Sequence, residues 1–288
     1  MKPFGLVAMS LATSVPTLAV LRSLKKNTLS KPGAIAAWIV GFIMVGSGLR
    51  GFVLLLFYQI ASAATKYKKD WKERQDATAA QGSVRGPTQV LACSAVAVIL
   101  TALHVWLVGH ETAIDFQQDY LAASLTCAVL AHHATCLADT LASELGILNQ
   151  SPPVLITQPW RIVPPGSNGG VTVLGTIMSV IGGACMGLGT AWMDWCSGIT
   201  PVPTMNLLML GTLCGLVGSL VDSILGATLQ ATYQNPDDRT IHHQASQPSY
   251  KHICGIDLLT NVQVNLVSIC ITTLLGGWVF GPRIFQRN

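Results

Sequence analysis

Six predominantly apolar stretches recur along the 288-residue chain, at 4–21, 89–109, 120–138, 170–192, 205–229 and 262–281. Each is near the roughly 20 residues that a helix needs to cross a bilayer at about 1.5 Å per residue. Inside hydrocarbon the backbone must satisfy its own N–H and C=O groups, and a continuous apolar run does so as a helix. Only 10% of the residues are charged and 50% are hydrophobic, whereas a soluble domain carries about 25% charged residues. The expected fold class is all-α: a polytopic membrane helix bundle forming one transmembrane domain over 1–288.

The stretch 33–65 is too long for one ordinary span, and "GSGLRG" (46–51) interrupts it with three glycines and the charge of Arg50. Two short helices, 33–48 and 52–65, are expected to form a hairpin, giving eight membrane segments. Charge supports this count. With the N-terminus outside, the segments 22–32, 66–88, 139–169 and 230–261 face the cytosol and hold thirteen of the seventeen Lys and Arg residues. Lys2, Arg50, Arg283 and Arg287 fall on the other side, as the positive-inside rule requires. The basic residues border spans rather than forming a soluble face, which argues against nucleic acid as a partner. The eight cysteines show no CxxC pair and most lie in apolar runs, so they read as small core residues rather than disulfides or zinc ligands. No Arg- and Ser-rich leader opens the chain, and an endomembrane such as the endoplasmic reticulum is the expected location.

This topology gathers scattered polar sequences at one face. "SAATKYKKDWKER" (62–74) and "VRGPTQ" (84–89) bound one cytosolic segment; "ADTLASELG" (138–146) and "PPGSNGGVT" (164–172) bound the next. "LVDSILGATLQ" (220–230) leads into the third and "TNVQVN" (260–265) leaves it. Asp222 lies eight residues inside its span, about 12 Å deep. A carboxylate there marks a functional group or an interior pair with a Lys or a second helix. Asp139 and Glu144 are shallower, where solvation at a helix end competes as an explanation. Together the three acids form a candidate site for a hard divalent cation such as Mg²⁺. Gly166, Gly169 and Gly170 permit close backbone approach, and Ser167 or Asn168 is placed to cap a following helix whose N-terminus favours phosphate. An ordinary Pro-Gly turn has the same composition. Lys66, Lys68, Lys69 and Arg85 suit either phosphate or anionic lipid heads. His132 and His133 point in different directions on a helix, so with Cys136 and Asp139 they read as structural rather than metal-binding. His242, His243 and His252 fall in a polar loop expected to be flexible.

These motifs resemble transmembrane protein 19 and its relatives, a family that includes the plant phytyl-phosphate kinase and looks distantly similar to dolichol and phytol kinases. The resemblance runs from about Leu29 to Phe280 through "LSKPGAIAAWIVGF", "SAATKYK", "ADTLASELG", "PVLITQPWRIVPPGSNGGVTVLGT", "GLVGSLVDSILGATLQ" and "NVQVNLVS". Four positions depart from it: Gly86 and Pro87 stand where the family often has Asn-Trp, Cys93 where it has Asn, and Leu141 where it has Trp.

The resemblance implies a kinase that makes an isoprenoid diphosphate from the monophosphate, with CTP or another nucleoside triphosphate as donor and Mg²⁺. It carries over Thr65, Lys66 and Lys68; Arg85 and Gln89; Asp139, Thr140, Ser143 and Glu144; Gly166, Asn168, Gly169 and Gly170; Asp222, Ser223 and Gln230; and Asn261 and Asn265. Asp139, Glu144 and Asp222 are the expected metal ligands, and Lys66 and Arg85 join them as catalytic charges. The remaining residues are expected to bind substrate or nucleotide. Expected partners are an isoprenoid lipid phosphate and membrane lipid, with a second copy of the chain as a further candidate. Two rival readings are a transporter for an anionic metabolite, which would use the broken hairpin and buried Asp, and a lipid-binding protein without chemistry.

Overall fold

The computed structural model describes residues 1–75, 84–243 and 247–286, without the side chains of 73–75. Arg287 and the side chain of Arg74, both counted in the charge argument, lie outside the described residues.

Helix α1 (Leu6–Lys25) packs along α2 (Lys31–Ser47). Ser30 starts α2 by accepting a hydrogen bond from Gly33 N at 3.1 Å, with a proline in the first turn. The break expected at 46–51 is present: α2 ends at Ser47, a 3₁₀ turn covers Leu49–Gly51, and α3 (Phe52–Lys66) follows. Lys68, in the left-handed region at φ 49°, separates α3 from the short α4 (Lys69–Gln75).

The expected single span at 89–109 is instead two helices, α5 (Pro87–Ala92) and α6 (Ala95–Val108). The reason lies on a neighbour. His132 Nε2 sits 3.0 Å from the Cys93 carbonyl and the Cys136 thiol donates to the same oxygen at 3.7 Å. These contacts satisfy a carbonyl that a continuous helix would have used itself.

Helix α7 (Tyr120–Gly146) is the axis of the bundle, buried along almost its whole length and packed by α3, α6, α8, α9 and α10. It extends eight residues beyond the expected end at 138, so all of "ADTLASELG" is helical. Helices α8 (Val173–Cys196) and α9 (Thr204–Leu229) pack against it and each other through small residues. A Cβ on Gly183 would lie 2.2 Å from the Gly211 carbonyl oxygen, so glycine sets this close approach. Helix α10 (Asn261–Leu275) opens with a capping box between Thr260 and Gln263 and continues through a π turn, Gly276–Phe280, into α11 (Gly281–Phe285). Among the described residues, five stretches are long and apolar enough to cross a membrane: α1, α7, α8, α9 and Asn261–Phe285; α2 and α6 are shorter apolar helices.

Two small antiparallel sheets correct the all-α expectation. One joins β1 (Val154–Leu155), β2 (Gln158–Ile162) and β3 (Gly170–Val171) in the order β2-β1-β3. The other joins β4 (Thr232–Gln234), β5 (Ile241–His242) and β6 (Lys251–Cys254) in the order β5-β4-β6. His242 and His252, expected in a flexible loop, instead lie on strands β5 and β6 paired with β4. Leu155, Val163, Ala227, Ile253 and Cys254 bury a common patch beneath the sheets. Strands this short escape a periodicity search because no face repeats often enough to be seen.

Charges close the opposite end of the bundle. Arg50 grips Asp194 of α8 with Nε–Oδ1 at 2.5 Å and Nη2–Oδ2 at 3.0 Å, and donates to the Thr112 carbonyl at 2.8 Å. Glu111 accepts from the backbone N–H of Leu49 and Arg50 at 3.0 and 2.7 Å and from the Ser197 hydroxyl at 3.2 Å. The glycine-rich break thus lets the hairpin turn meet α8 and the α6–α7 connection.

Candidate functional site

A cavity of about 840 Å³ opens at the end of the bundle bearing Lys31 and Lys66, and chain segments far apart in sequence converge on it. Helix α7 contributes Asp139, Thr140, Ser143 and Glu144; α9 contributes Asp222 and Ser223, with Gln230 just past its end; α10 contributes Asn261 and Asn265. The loop before α8 brings Gly166, Asn168, Gly169 and Gly170, Thr65 comes from the end of α3, and Arg85 and Gln89 come from around α5. Lys66 and Lys68 do not line it. Both are exposed and border a shallow surface hollow with Asp70 and Trp71. The turn at Lys68 rotates α4 so that Lys69 and Lys72 face the cavity in their place.

The two aspartates define the polar centre. Asp139 and Asp222 enter from α7 and α9 and line the same cavity. Asp222 Oδ2 accepts from the Ser268 hydroxyl at 2.9 Å. With the Asn265 amide nitrogen turned inward, it donates to Asp222 Oδ2 at 3.1 Å and to the Asn261 carbonyl at 3.0 Å. Helix α10 therefore fixes the orientation of the Asp222 carboxylate.

Glu144 stands apart from this pair because its carboxylate is held by Lys72. Lys72 is buried, and its ammonium also donates to the Ala64 and Thr65 carbonyls at 3.0 and 2.8 Å, closing the C-terminus of α3. Among the described residues no group of three or more His, Cys, Asp or Glu side chains is arranged to hold a metal ion. The expected three-carboxylate cluster is thus reduced to two acids, a number that suits Mg²⁺ when phosphate oxygens and water complete its shell. Lys72→Met leaves Glu144 without its cation and two carbonyls without a donor. The expected cost is about 2 kcal/mol, seen as a lower Tm in detergent; an unchanged Tm would remove this role for Lys72.

The glycine loop is built differently from an open anion nest. Ser167, Asn168 and Gly170 already donate their N–H groups, to Pro164 O at 3.2 Å, Thr232 Oγ1 at 3.1 Å and Ser167 O at 3.0 Å. Thr172, rather than Ser167 or Asn168, caps α8 by accepting from Gly175 N at 3.0 Å. Gly169 has φ +71°, and a Cβ there would lie 2.3 Å from Ala227 Cβ, so the loop is pressed against α9 one turn beyond Asp222. Its fit is steric, and it carries the Asn168 side chain to the Ala231 carbonyl at 3.2 Å and His243 Nδ1 at 3.1 Å. The Cys254 thiol donates to Asn168 O at 3.3 Å, and burial pushes that thiol's pKa up.

The hydroxyls of Thr65, Thr140 and Ser143 donate to carbonyls of their own helices, to Ala61 O at 3.0 Å, Cys136 O at 2.8 Å and Asp139 O at 2.9 Å. They offer a ligand acceptor lone pairs rather than protons. The Arg85 guanidinium stands 5.7 Å from the Tyr58 ring centre, in cation–π contact at the cavity wall. Lys69 reads from the sequence, with Lys66 and Lys68, as a contact for phosphate or lipid heads, and sequence reasoning missed Tyr58, Lys72, His242 and His243 as cavity residues. For Lys72 the signal was the three-residue spacing of 69 and 72, which shares a helical face; the histidines depend on the pairing of β4 with β5.

A helix bundle whose scattered charged side chains meet in one cavity, open at the end opposite a closed ion-pair clamp, is a polytopic membrane protein with a polar cavity at one surface. The chain belongs to the DUF92 family of integral membrane proteins, whose model matches residues 14–273. It is similar to Protein PGR of Arabidopsis thaliana, 34% identical over 271 residues that cover 92% of this chain and 93% of that one. An uncharacterized membrane protein of Methanocaldococcus jannaschii is 26% identical over 212 residues, covering 72% and 76%. Protein VTE6, chloroplastic, of Arabidopsis thaliana is 28% identical over 204 residues, covering 70% and 56%. No solved structure matches the chain.

Proposed function

We propose that the cavity is the active site of a membrane kinase that phosphorylates an isoprenoid monophosphate to the diphosphate, using CTP or another nucleoside triphosphate with Mg²⁺. The observation that carries this reading is the meeting of Asp139 and Asp222 in a cavity that also presents Arg85 and Lys69. The attacking group, a substrate phosphate, is already ionised, so the site has no need of a general base. The task is to bring two polyanions together and offset their charge. Bound Mg²⁺ would neutralise phosphate oxygens, held by Asp139 and Asp222. Arg85 balances phosphate charge beside them, and Ser268 and Asn265 hold Asp222 in position. Lys66 and Lys68, outside the cavity, serve in this reading as contacts for anionic lipid heads.

The closed far end favours an enzyme over a transporter. Arg50 is spent on Asp194, and Met44, Leu130, Met186, Leu207 and Leu210 fill the bundle core with apolar side chains. The accompanying topology has eight membrane segments, α2, α3 and α6 joining the five long spans, with the cavity on the cytosolic face of an endomembrane. The Lys and Arg distribution supports that orientation. An epitope inserted after Asn149 should be accessible when the plasma membrane alone is permeabilised; staining only after full permeabilisation would reverse the orientation.

The deciding assay incubates purified protein with radiolabelled CTP or ATP and geranylgeranyl or phytyl monophosphate. Labelled diphosphate is expected. Absence of product with every donor–acceptor pair would overturn the kinase reading.

A further inference from the structure

The cavity is larger than its polar centre needs. Beyond Thr65 it continues between α1 and α3 with α2 as its floor. Ala19 and Val20 face it from α1, Ala37 and Val40 from α2, and Leu54 and Phe57 from α3. On every helix these positions belong to one helical face, spaced by one, three or four residues with partners such as Pro16, Gly41 and Tyr58. From Thr65 at the mouth to Leu54 at the inner end is eleven residues of α3, about 16 Å of axial rise. That carries the arm about half way through a hydrocarbon core of roughly 30 Å.

The arm has no polar demand. Its junction with the polar centre is marked by Tyr58, whose hydroxyl lies 2.7 Å from Ser23 Oγ and 3.2 Å from Thr28 Oγ1. These groups satisfy one another, and none of the buried polar atoms left without a partner among the described residues lies in the arm. A ligand portion placed there gains by burying hydrocarbon and would lose by burying a polar group. Helix α1, which contributes one wall, is mostly exposed on its other faces, so that side of the arm is flanked by lipid.

We propose that this arm binds a single long aliphatic chain whose phosphate end lies at Asp139 and Asp222. The proposal deepens the kinase reading and rests on it only for the phosphate end. A total volume of about 840 Å³ shared between polar centre and arm is that of a pocket for one small molecule. It suits one chain better than the two chains of a bilayer phospholipid. Small side chains at Ala19 and Ala37 keep the arm open, making these two positions determinants of chain length.

The test uses the full chain in phosphatidylcholine nanodiscs and geranylgeranyl phosphate carrying a photoreactive diazirine at its far end. Label is expected on peptides of α1, α2 and α3. Ala37→Phe and Ala19→Phe, on different walls, should each cut that labelling roughly tenfold while leaving the labelling by a shorter farnesyl probe near wild type. Unlabelled geranylgeranyl phosphate should compete and phosphatidate should not. Label confined to other helices, equal competition by phosphatidate, or equal loss of both probes in the two Phe variants would overturn the proposal. Labelling of the arm without diphosphate formation would uphold the arm and remove the kinase reading; diphosphate formation with label elsewhere would do the reverse.

Discussion

Asp222→Asn is expected to lower diphosphate formation by on the order of 10²–10³-fold in kcat, with the helix content and detergent Tm of the protein preserved. The substitution keeps the shape of the side chain and its contacts with Ser268 and Asn265 but removes the charge that faces the phosphates. Asp139→Asn should act in the same direction. Because both carboxylates face one site, the double variant should fall little below either single one, as groups acting as a unit do. The measurement is single-turnover transfer from radiolabelled nucleotide at saturating acceptor. Wild-type turnover in either Asn variant would detach these acids from the reaction. A Glu144→Gln variant provides the contrast: its carboxylate is engaged by Lys72, so its effect should appear in stability before it appears in kcat.

The largest loss of stability is expected at the other end of the bundle. Asp194 is almost completely buried, with its side chain 1% exposed against 12% for Arg50. Asp194→Ala strands the Arg50 guanidinium away from water, and breaking a buried pair in this way costs about 3–5 kcal/mol. Arg50 would retain its contact to the Thr112 carbonyl, which offsets only part of the desolvation. Removing both charges together, as Arg50→Met with Asp194→Leu, should cost much less than either single change, since no unpaired charge remains. Thermal denaturation of all three variants in one detergent reads the cycle. Equal losses in the single and double variants would show that the pair contributes shape rather than charge neutralisation.

The arrangement of Arg50 shows where sequence reading reached its limit. The glycines around it located the break between α2 and α3, because backbone preferences are local. Its partner is 144 residues away, just past the end of the apolar run 170–192, where nothing in the local pattern distinguishes a clamp from a transport residue. "ADTLASELG" shows the same division. Its acids and its place at the end of a span were visible, yet their different roles were not: one turn of helix and the position of Lys72 assign Glu144 to an ion pair and leave Asp139 facing Asp222. The adjacent histidines were legible as structural from their divergent directions, but that His132 would hold open the α5–α6 break required the packing of α7 against Cys93.

Hydrocarbon imposes a one-dimensional rule, since each spanning segment must satisfy its own backbone. The apolar runs, the hairpin break and the small residues of the helices followed from the sequence alone for that reason. The same runs and their bordering charges were enough to bring six polar motifs to one face. The meeting of two aspartates in one cavity, the exchange of Lys66 and Lys68 for Lys69 and Lys72, the two small sheets and the apolar arm beside α1 belong to the tertiary structure. Each depends on the rotation of one element against another, and helix rotation is set by side-chain packing between segments distant in sequence, which no local periodicity encodes.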